Sequence, residues 1–175
     1  CKQRIWLELQ QKQESYWLFG TAAKKRYQMQ IWVDSDACPV AIKQILFKAS
    51  RRTGVVLTLV ANHSQSIPSD KSIRLQLVEK GFDVADNFIV KNVVERDIVV
   101  TGDIPLAAEV IELGAIAINP RGELYTQETI RSRLNMRDFM EVMRDTGLAS
   151  GGPAPLGSKE KQRFANHLDT LLVKR

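Results

Sequence analysis

Short apolar runs alternate along most of the chain with longer stretches in which apolar residues recur at helical spacing. The short runs are rich in β-branched residues and predict strands, whereas the longer stretches predict amphipathic helices. The predicted strands cover residues 31–33, 55–61, 73–77, 97–101 and 115–118. The predicted helices cover residues 40–53, 83–90, 105–113, 126–134, 137–145 and 158–173. This order predicts an α/β fold: a single three-layer domain with a mostly parallel central sheet flanked by helices, plus C-terminal helices.

The composition agrees with one folded domain. The chain has 175 residues, of which 44% are hydrophobic and 26% charged, as is ordinary for a globular protein. No apolar run approaches the roughly 18 residues that a membrane span needs, so we expect no membrane association. With only Cys1 and Cys38, a disulfide framework is not expected, and a cytoplasmic location is predicted.

The N-terminal segment differs from the rest in charge. Residues 1–28 hold six basic and two acidic residues, a charge of +4, so the remaining chain carries only +1 of the total of +5. Met29 stands directly before a predicted strand, where a start would be natural. We therefore interpret residues 1–28 as a non-native or upstream extension and residues 29–175 as the domain. The alternative is a basic arm that stacks Trp6, Tyr16 and Trp17 on nucleic-acid bases.

Acidic residues follow two of the predicted strands. Asp34 and Asp36 end the first strand, and two residues apart in an extended chain they point to the same side. Asp103 follows the strand at 97–101 in the same way. If these strands are neighbours, the three carboxylates share the carboxyl edge of a parallel sheet, where open α/β folds bind ligands. Mg²⁺ or Mn²⁺ would relieve their repulsion, activate a water molecule and stabilise the displacement of a phosphodiester.

Each of these acids also has a purely structural interpretation. Asp36 lies shortly before the helix at 40–53, and Asp103 lies just before the helix at 105–113. Either carboxylate can therefore be a helix cap. A coincidence of several acids at strand ends is stronger support for a site than any one of them.

Other side chains near the same edge are candidates for substrate binding. Asn62 and Ser64 leave the second strand and are predicted to contact a phosphate, while His63 is more typical of a solvated loop. Arg121 is predicted to clamp a phosphate, with a structural hydrogen bond to a loop carbonyl as the equal alternative. Cys38, at a helix start, is expected to have a lowered thiol pKa but to serve in packing.

Five segments together resemble a known family. They are Val33-Asp34-Ser35-Asp36-Ala37-Cys38-Pro39, Gly81-Phe82-Asp83-Val84-Ala85-Asp86, Thr101-Gly102-Asp103-Ile104-Pro105-Leu106-Ala107, Asn119-Pro120-Arg121-Gly122 and Gly151-Gly152-Pro153. In this order they resemble the YaiI/YqxD family of uncharacterised bacterial proteins, over residues 29 to about 172. The resemblance implies the PIN-like nuclease fold and an acidic metal site.

Carried over residue by residue, the resemblance implies that Asp34, Asp86 and Asp103 are metal ligands, with Asp36 as a fourth. Related nucleases usually carry Glu at the mid-chain position, and the shorter Asp86 departs from that pattern. The leading hypothesis is a Mg²⁺- or Mn²⁺-dependent PIN-like nuclease that acts on RNA, in which Asp34, Asp36 and Asp103 are catalytic. The alternatives are a non-catalytic PIN-like module that binds RNA or protein and, less favoured, a phosphatase with Asp34 as its nucleophile.

Overall fold

The computed structural model describes residues 28–148, 152 and 154–173. Except for Gln28, the segment 1–28 that we interpret as an extension lies outside the described residues. Within these residues the strands are β1 (Ile31–Asp34), β2 (Leu57–Ala61), β3 (Ile73–Leu77), β4 (Ile98–Val100) and β5 (Ile116–Ile118). The helices of the same part of the chain are α1 (Val40–Thr53), α2 (Val84–Asn92), α3 (Ile104–Glu112), α4 (Gln127–Asp145) and α5 (Ser158–Val173).

The strands form one sheet in the order β3-β2-β1-β4-β5, and every ladder between neighbouring strands is parallel. The predicted mostly parallel sheet is therefore confirmed. β1 lies at the centre, with Val33 aligned with Leu59 of β2 on one side and with Val100 of β4 on the other. The chain first builds outwards from β1 through β2 and β3, and then crosses β1 to add β4 and β5. This reversal makes the gap between β1 and β4 the topological switch point of the sheet.

Helices cover both faces of the sheet, as the alternating orientation of strand side chains requires. Ile31 and Val33 belong to a buried cluster on the face covered by α1 and α5. Trp32, between them, belongs to a second cluster on the face covered by α2, α3 and α4. The domain is thus a three-layer α/β structure with one core on each side of the sheet, which confirms the predicted fold class.

The C-terminal helix α5 packs on the sheet and does not form a separate domain. Its side chains Phe164 and Leu168 are fully buried in the cluster that also contains residues of α1. Gly122, in the turn after β5, has a φ of 84° and lies so close to α5 that a Cβ would collide with the backbone of Arg163 and Phe164. A side chain at this position would therefore push α5 away from the sheet.

The two helices predicted at 126–134 and 137–145 are one continuous helix, so that prediction was wrong. α4 runs from Gln127 to Asp145 and begins with a capping box between Thr126 and Thr129. The segment contains neither Gly nor Pro, so nothing in it ends the helix between Leu134 and Arg137.

Among the described residues, no helix combines the length and apolar character needed to cross a membrane.

Candidate functional site

Asp34 and Asp103 lie at the switch point between β1 and β4. Asp34 is the last residue of β1, and Asp103 follows the end of β4 by three residues. Because β1 and β4 are neighbouring parallel strands, both aspartates lie at the carboxyl edge of the sheet. The condition under which the sequence predicted a shared acidic edge is therefore met.

Asp103 is held in place by its own segment. Its backbone N–H donates to Oγ1 of the buried Thr101 over 3.0 Å. Its Oδ1 accepts a hydrogen bond from the backbone N–H of Leu106 over 2.9 Å, so Asp103 caps α3. The capping role considered from the sequence is confirmed, and the second oxygen, Oδ2, makes no hydrogen bond within the described residues. Asp103 can therefore cap the helix and still present one oxygen to a ligand.

Asp34 is half-buried and its carboxylate makes no hydrogen bond with another described residue. Burial, followed by the negative charges of Asp36 and Asp103, raises its pKa from 3.8 to about 6, and Lys43 opposes this increase. The strand end thus carries a carboxylate that is costly to ionise at neutral pH. Nothing in the described structure compensates that cost except the single ammonium group.

Asp86 comes from a different part of the chain and joins the same acidic group. It lies in the first turn of α2. Burial raises its pKa to about 6, and the next causes are the charges of Asp103 and Asp34, ahead of Asp83 and Glu109. Its carboxylate, like that of Asp34, accepts no hydrogen bond from the described residues. The three acids that the family resemblance implies as ligands are therefore electrostatically coupled.

The chemistry of this group suits a hard divalent cation, but the acids do not form a closed cage. Carboxylate oxygens are the ligands that Mg²⁺ and Mn²⁺ prefer. Within the described residues, no three His, Cys, Asp or Glu side chains lie close enough to hold a metal ion by themselves. Mg²⁺ commonly keeps several water ligands and binds through one or two carboxylates together with substrate phosphates. An incomplete set of acids is thus compatible with such an ion.

Asp36 anchors the loop that follows β2. Its Oδ2 accepts a hydrogen bond from the backbone N–H of Asn62 over 2.8 Å. Its Oδ1 accepts from Nε2 of Gln65 over 3.0 Å and lies 2.9 Å from Nδ1 of His63. The N-cap residue of α1 is Pro39, and no side chain caps this helix. The interpretation of Asp36 as a helix cap was therefore wrong, because its carboxylate bonds across to a distant loop.

Gln65 joins this loop to α1 and to the end of β1. Its Oε1 accepts hydrogen bonds from Oγ of the buried Ser35 and from Nζ of Lys43, each over 2.7 Å. Together with its bond to Asp36, these contacts connect three segments through one amide. The loop is consequently fixed next to the acidic edge.

The three predicted phosphate-binding residues lie in two places. Asn62 and Ser64 are exposed on the loop held by Asp36. Arg121 lies in the turn after β5, where its guanidinium donates to Oε1 of Glu160 over 2.6 Å and to the backbone carbonyl of Ala154. The structural hydrogen bond to a loop carbonyl, the alternative for Arg121, is thus observed. Its phosphate-binding role stays a prediction.

Cys38 does not have the lowered pKa expected for a thiol at a helix start. Burial is the main cause that raises its pKa to about 12. The side chain is only 7% exposed and belongs to the core beneath α1. That prediction was wrong because loss of solvent outweighs the favourable helix terminus. The expected role in packing is confirmed.

Sequence reasoning missed two charged residues beside the acids. Glu109 of α3 contributes to the raised pKa of Asp86, and its own pKa is raised, mainly by burial and next by Glu112. Lys43 of α1 acts on Asp34. The sequence did contain a signal for both residues. Lys43 and Glu109 each lie in the first two turns of a helix that directly follows a strand-end aspartate.

Comparisons with known proteins agree on one family. The model of the family described as "Uncharacterized BCR, YaiI/YqxD family" matches residues 32–174. A "UPF0178 protein" of Hydrogenovibrio crunogenus is 61% identical over 146 residues, which are 83% of this chain and 97% of that relative. A "UPF0178 protein" of Pseudoalteromonas atlantica is 60% identical over 147 residues, 84% of this chain and all of the relative. No solved structure gives a significant match.

Proposed function

The chain belongs to the YaiI/YqxD family, and we propose that it is a nuclease that hydrolyses RNA with the help of Mg²⁺ or Mn²⁺. The observation that supports this most strongly is that Asp34 and Asp103 lie at the switch point of a parallel sheet, with Asp86 of a third element in electrostatic reach of both. Burial first, and then negative charges that include Asp103, raises the pKa of both Asp34 and Asp86. An arrangement that keeps like charges together at a cost to folding favours a role in binding a cation.

In this proposal Asp34, Asp86 and Asp103 hold the ion, with water and phosphate oxygens as further ligands. A bound divalent ion would supply a more acidic water and charge stabilisation for the leaving oxygen. Asp103 keeps its orientation through Thr101 and Leu106. Asp36 positions the neighbouring loop, and Asn62 and Ser64 on that loop remain candidates for phosphate contact.

The contacts of Asp36 weigh against the phosphatase alternative. A phosphatase with Asp34 as nucleophile would need Asp36 as its general acid. Both oxygens of Asp36 instead accept hydrogen bonds from the loop after β2. The carboxylate is therefore engaged in holding structure, and a proton on it would weaken those bonds.

The test is cleavage of an end-labelled single-stranded RNA oligonucleotide by the full chain, with Mn²⁺ or Mg²⁺ and with EDTA. We expect cleavage that depends on the metal and is lost in Asp34→Asn and in Asp103→Asn. Asp145→Asn is the matched control, because Asp145 is an exposed acid at the end of α4 and should be dispensable. The proposal would be contradicted by cleavage that persists in EDTA, or by cleavage that both Asp34→Asn and Asp103→Asn retain.

The non-catalytic alternative rests on the absence of a closed three-ligand group among the described residues. Calorimetric titration with Mn²⁺ separates the two. A metal-dependent enzyme requires binding that weakens in Asp34→Asn, whereas a protein without measurable Mn²⁺ or Mg²⁺ affinity would be better explained as a binding module.

A further inference from the structure

An open pocket of about 320 Å³ lies beside Asp36, between α1 and the loop that follows β2. The helix contributes Val40 and Lys43 to its wall, and the loop contributes His63 and Gln65. The pocket adjoins the acidic edge, because Asp36 lines it and Lys43 acts electrostatically on Asp34. It is therefore placed to bind part of whatever ligand reaches the acids.

Lys43 gives this pocket hydrogen-bond donors that are not used. An ammonium group has three N–H donors. Within the described residues Nζ makes one hydrogen bond, to Oε1 of Gln65 over 2.7 Å. The contact fixes the position of the ammonium group and leaves two donors for a ligand that accepts hydrogen bonds.

His63 is oriented by the same network. Its Nδ1 lies 2.9 Å from Oδ1 of Asp36 and 3.1 Å from Oδ1 of Asn62. Its Nε2 makes no hydrogen bond within the described residues, and the side chain is 57% exposed. The ring therefore keeps one nitrogen available on the loop that forms one wall of the pocket.

The carboxylate of Asp36 would ordinarily repel an anion, but both of its oxygens already accept hydrogen bonds, which reduce this repulsion. The backbone N–H of Asn62 and the amide of Gln65 both donate to it. Val40, which is 70% exposed, adds an apolar surface to the same wall. The pocket thus combines fixed cationic and polar donors with an apolar contact, which suits a phosphate attached to a nucleoside.

We propose that this pocket binds a nucleotide phosphate through Lys43 and Gln65, beside the exposed ring of His63, and so seats a nucleotide of the RNA strand next to the acidic edge. The proposal rests on the proposed function for the identity of the strand, but phosphate binding itself can be measured without cleavage. The body of the chain outside residues 1–28 carries a charge of only +1. A local phosphate pocket supplies the backbone contact that a broadly basic surface supplies in other nucleic-acid-binding proteins.

The experiment is titration of the full chain with uridine 5′-monophosphate in EDTA, followed by the amide signals of the residues that line the pocket. We expect saturable binding that is weakened about tenfold in Lys43→Gln, because a charge-assisted hydrogen bond is lost. Lys43→Arg should retain most of the affinity, since it keeps the charge. Lys48→Gln is the matched control on the exposed side of α1 and should bind like the wild type.

Two further ligands make the outcome decisive. Inorganic phosphate should compete with uridine 5′-monophosphate, whereas uridine without the phosphate should bind at least about tenfold more weakly. Equal binding of uridine, or equal affinity in Lys43→Gln and the wild type, would overturn the proposal. The Mn²⁺ titration of the same proteins reports on the acids separately, so a pocket that fails to bind nucleotide is distinguishable from acids that fail to bind metal.

Discussion

The carboxylates at the two ends of the central strands differ in how many hydrogen bonds they accept. At the amino end, Asp97 is fully buried and accepts hydrogen bonds from the backbone N–H of Gln30 over 2.9 Å and from Nε1 of Trp32 over 2.9 Å. The backbone N–H of Val94 also donates to it. At the carboxyl end, Asp34 and Asp86 accept no hydrogen bond from the described residues. Burial, followed by neighbouring negative charges that include Asp103, raises the pKa of each to about 6.

This contrast separates a structural acid from a candidate functional one. A buried carboxylate that is surrounded by donors ties strands together, and its removal leaves those donors without partners. Carboxylates that lack donors and repel one another weaken the fold at neutral pH. Strand-end position alone does not distinguish the two kinds, because Asp97 also stands directly beside a strand.

The largest effect is expected at Asp97. Asp97→Ala should lower the free energy of unfolding by about 3–5 kcal/mol, because one buried and two part-buried donors lose their shared acceptor. Urea denaturation measures this, with Asp145→Asn as an exposed control. If the free energy of unfolding falls by less than about 1 kcal/mol, the amino end of the strands does not depend on Asp97. The contrast between the two ends of the strands would then be wrong.

The second prediction concerns Asp34 and pH. Its folded-state pKa of about 6 lies above the ordinary value of 3.8, which we take for the unfolded chain. The stabilisation from the protonated carboxyl is therefore fully present below about pH 3.8 and is lost as the pH rises through 6. Asp34→Asn, which stays neutral, should match the wild type at low pH. Near pH 7.5 it should be more stable by about 1–2 kcal/mol, after allowance for solvent screening.

Asp70 provides the control of opposite sign. The hydrogen bonds from Ser72, first that of its backbone N–H, lower the pKa of this partly exposed carboxyl. Its stabilisation is therefore present above the unfolded pKa and is lost as the pH falls through the folded value. Urea denaturation at several pH values gives the free energy of unfolding of each variant relative to the wild type. This difference should change with pH in opposite directions for Asp34→Asn and Asp70→Asn. If the stability difference between Asp34→Asn and the wild type does not change with pH, the carboxylate of Asp34 does not weaken the fold at neutral pH.

The local pattern of the sequence predicted most elements, because apolar runs and breakers act over a few residues. Gly54 ends α1 in a left-handed conformation, as a C-terminal glycine should, and β2 is buried at every position, as its continuous apolar run predicted. The single helix α4 was missed where no breaker separates its halves. Local rules give the elements but leave the exact ends open.

The site was less accessible from sequence, because its geometry depends on distant contacts. Only the strand order places Asp103 beside Asp34, and the sequence could state that adjacency only as a condition. The partners of Asp36 lie 26 residues or more along the chain, in a loop whose conformation has no local signal. Asp86 entered through family resemblance, and its coupling to Asp34 appears only in the folded chain.

The smallest effect, and the sharpest test of the comparison, is expected at Asp103, which belongs to both kinds of acid. Its Oδ1 caps α3 as a structural acid does, while its charge raises the pKa of Asp34 and Asp86. Asp103→Ala should cost about 1 kcal/mol through the lost cap, whereas Asp103→Asn keeps a capping oxygen and should change stability by less than that. Asparagine also removes the charge, so both neighbouring pKa values should fall, which a carboxyl-carbon NMR titration would follow. If the pKa values of Asp34 and Asp86 stay near 6 in Asp103→Asn, Asp103 does not contribute to them, and the three acids would be desolvated side by side without acting as one group.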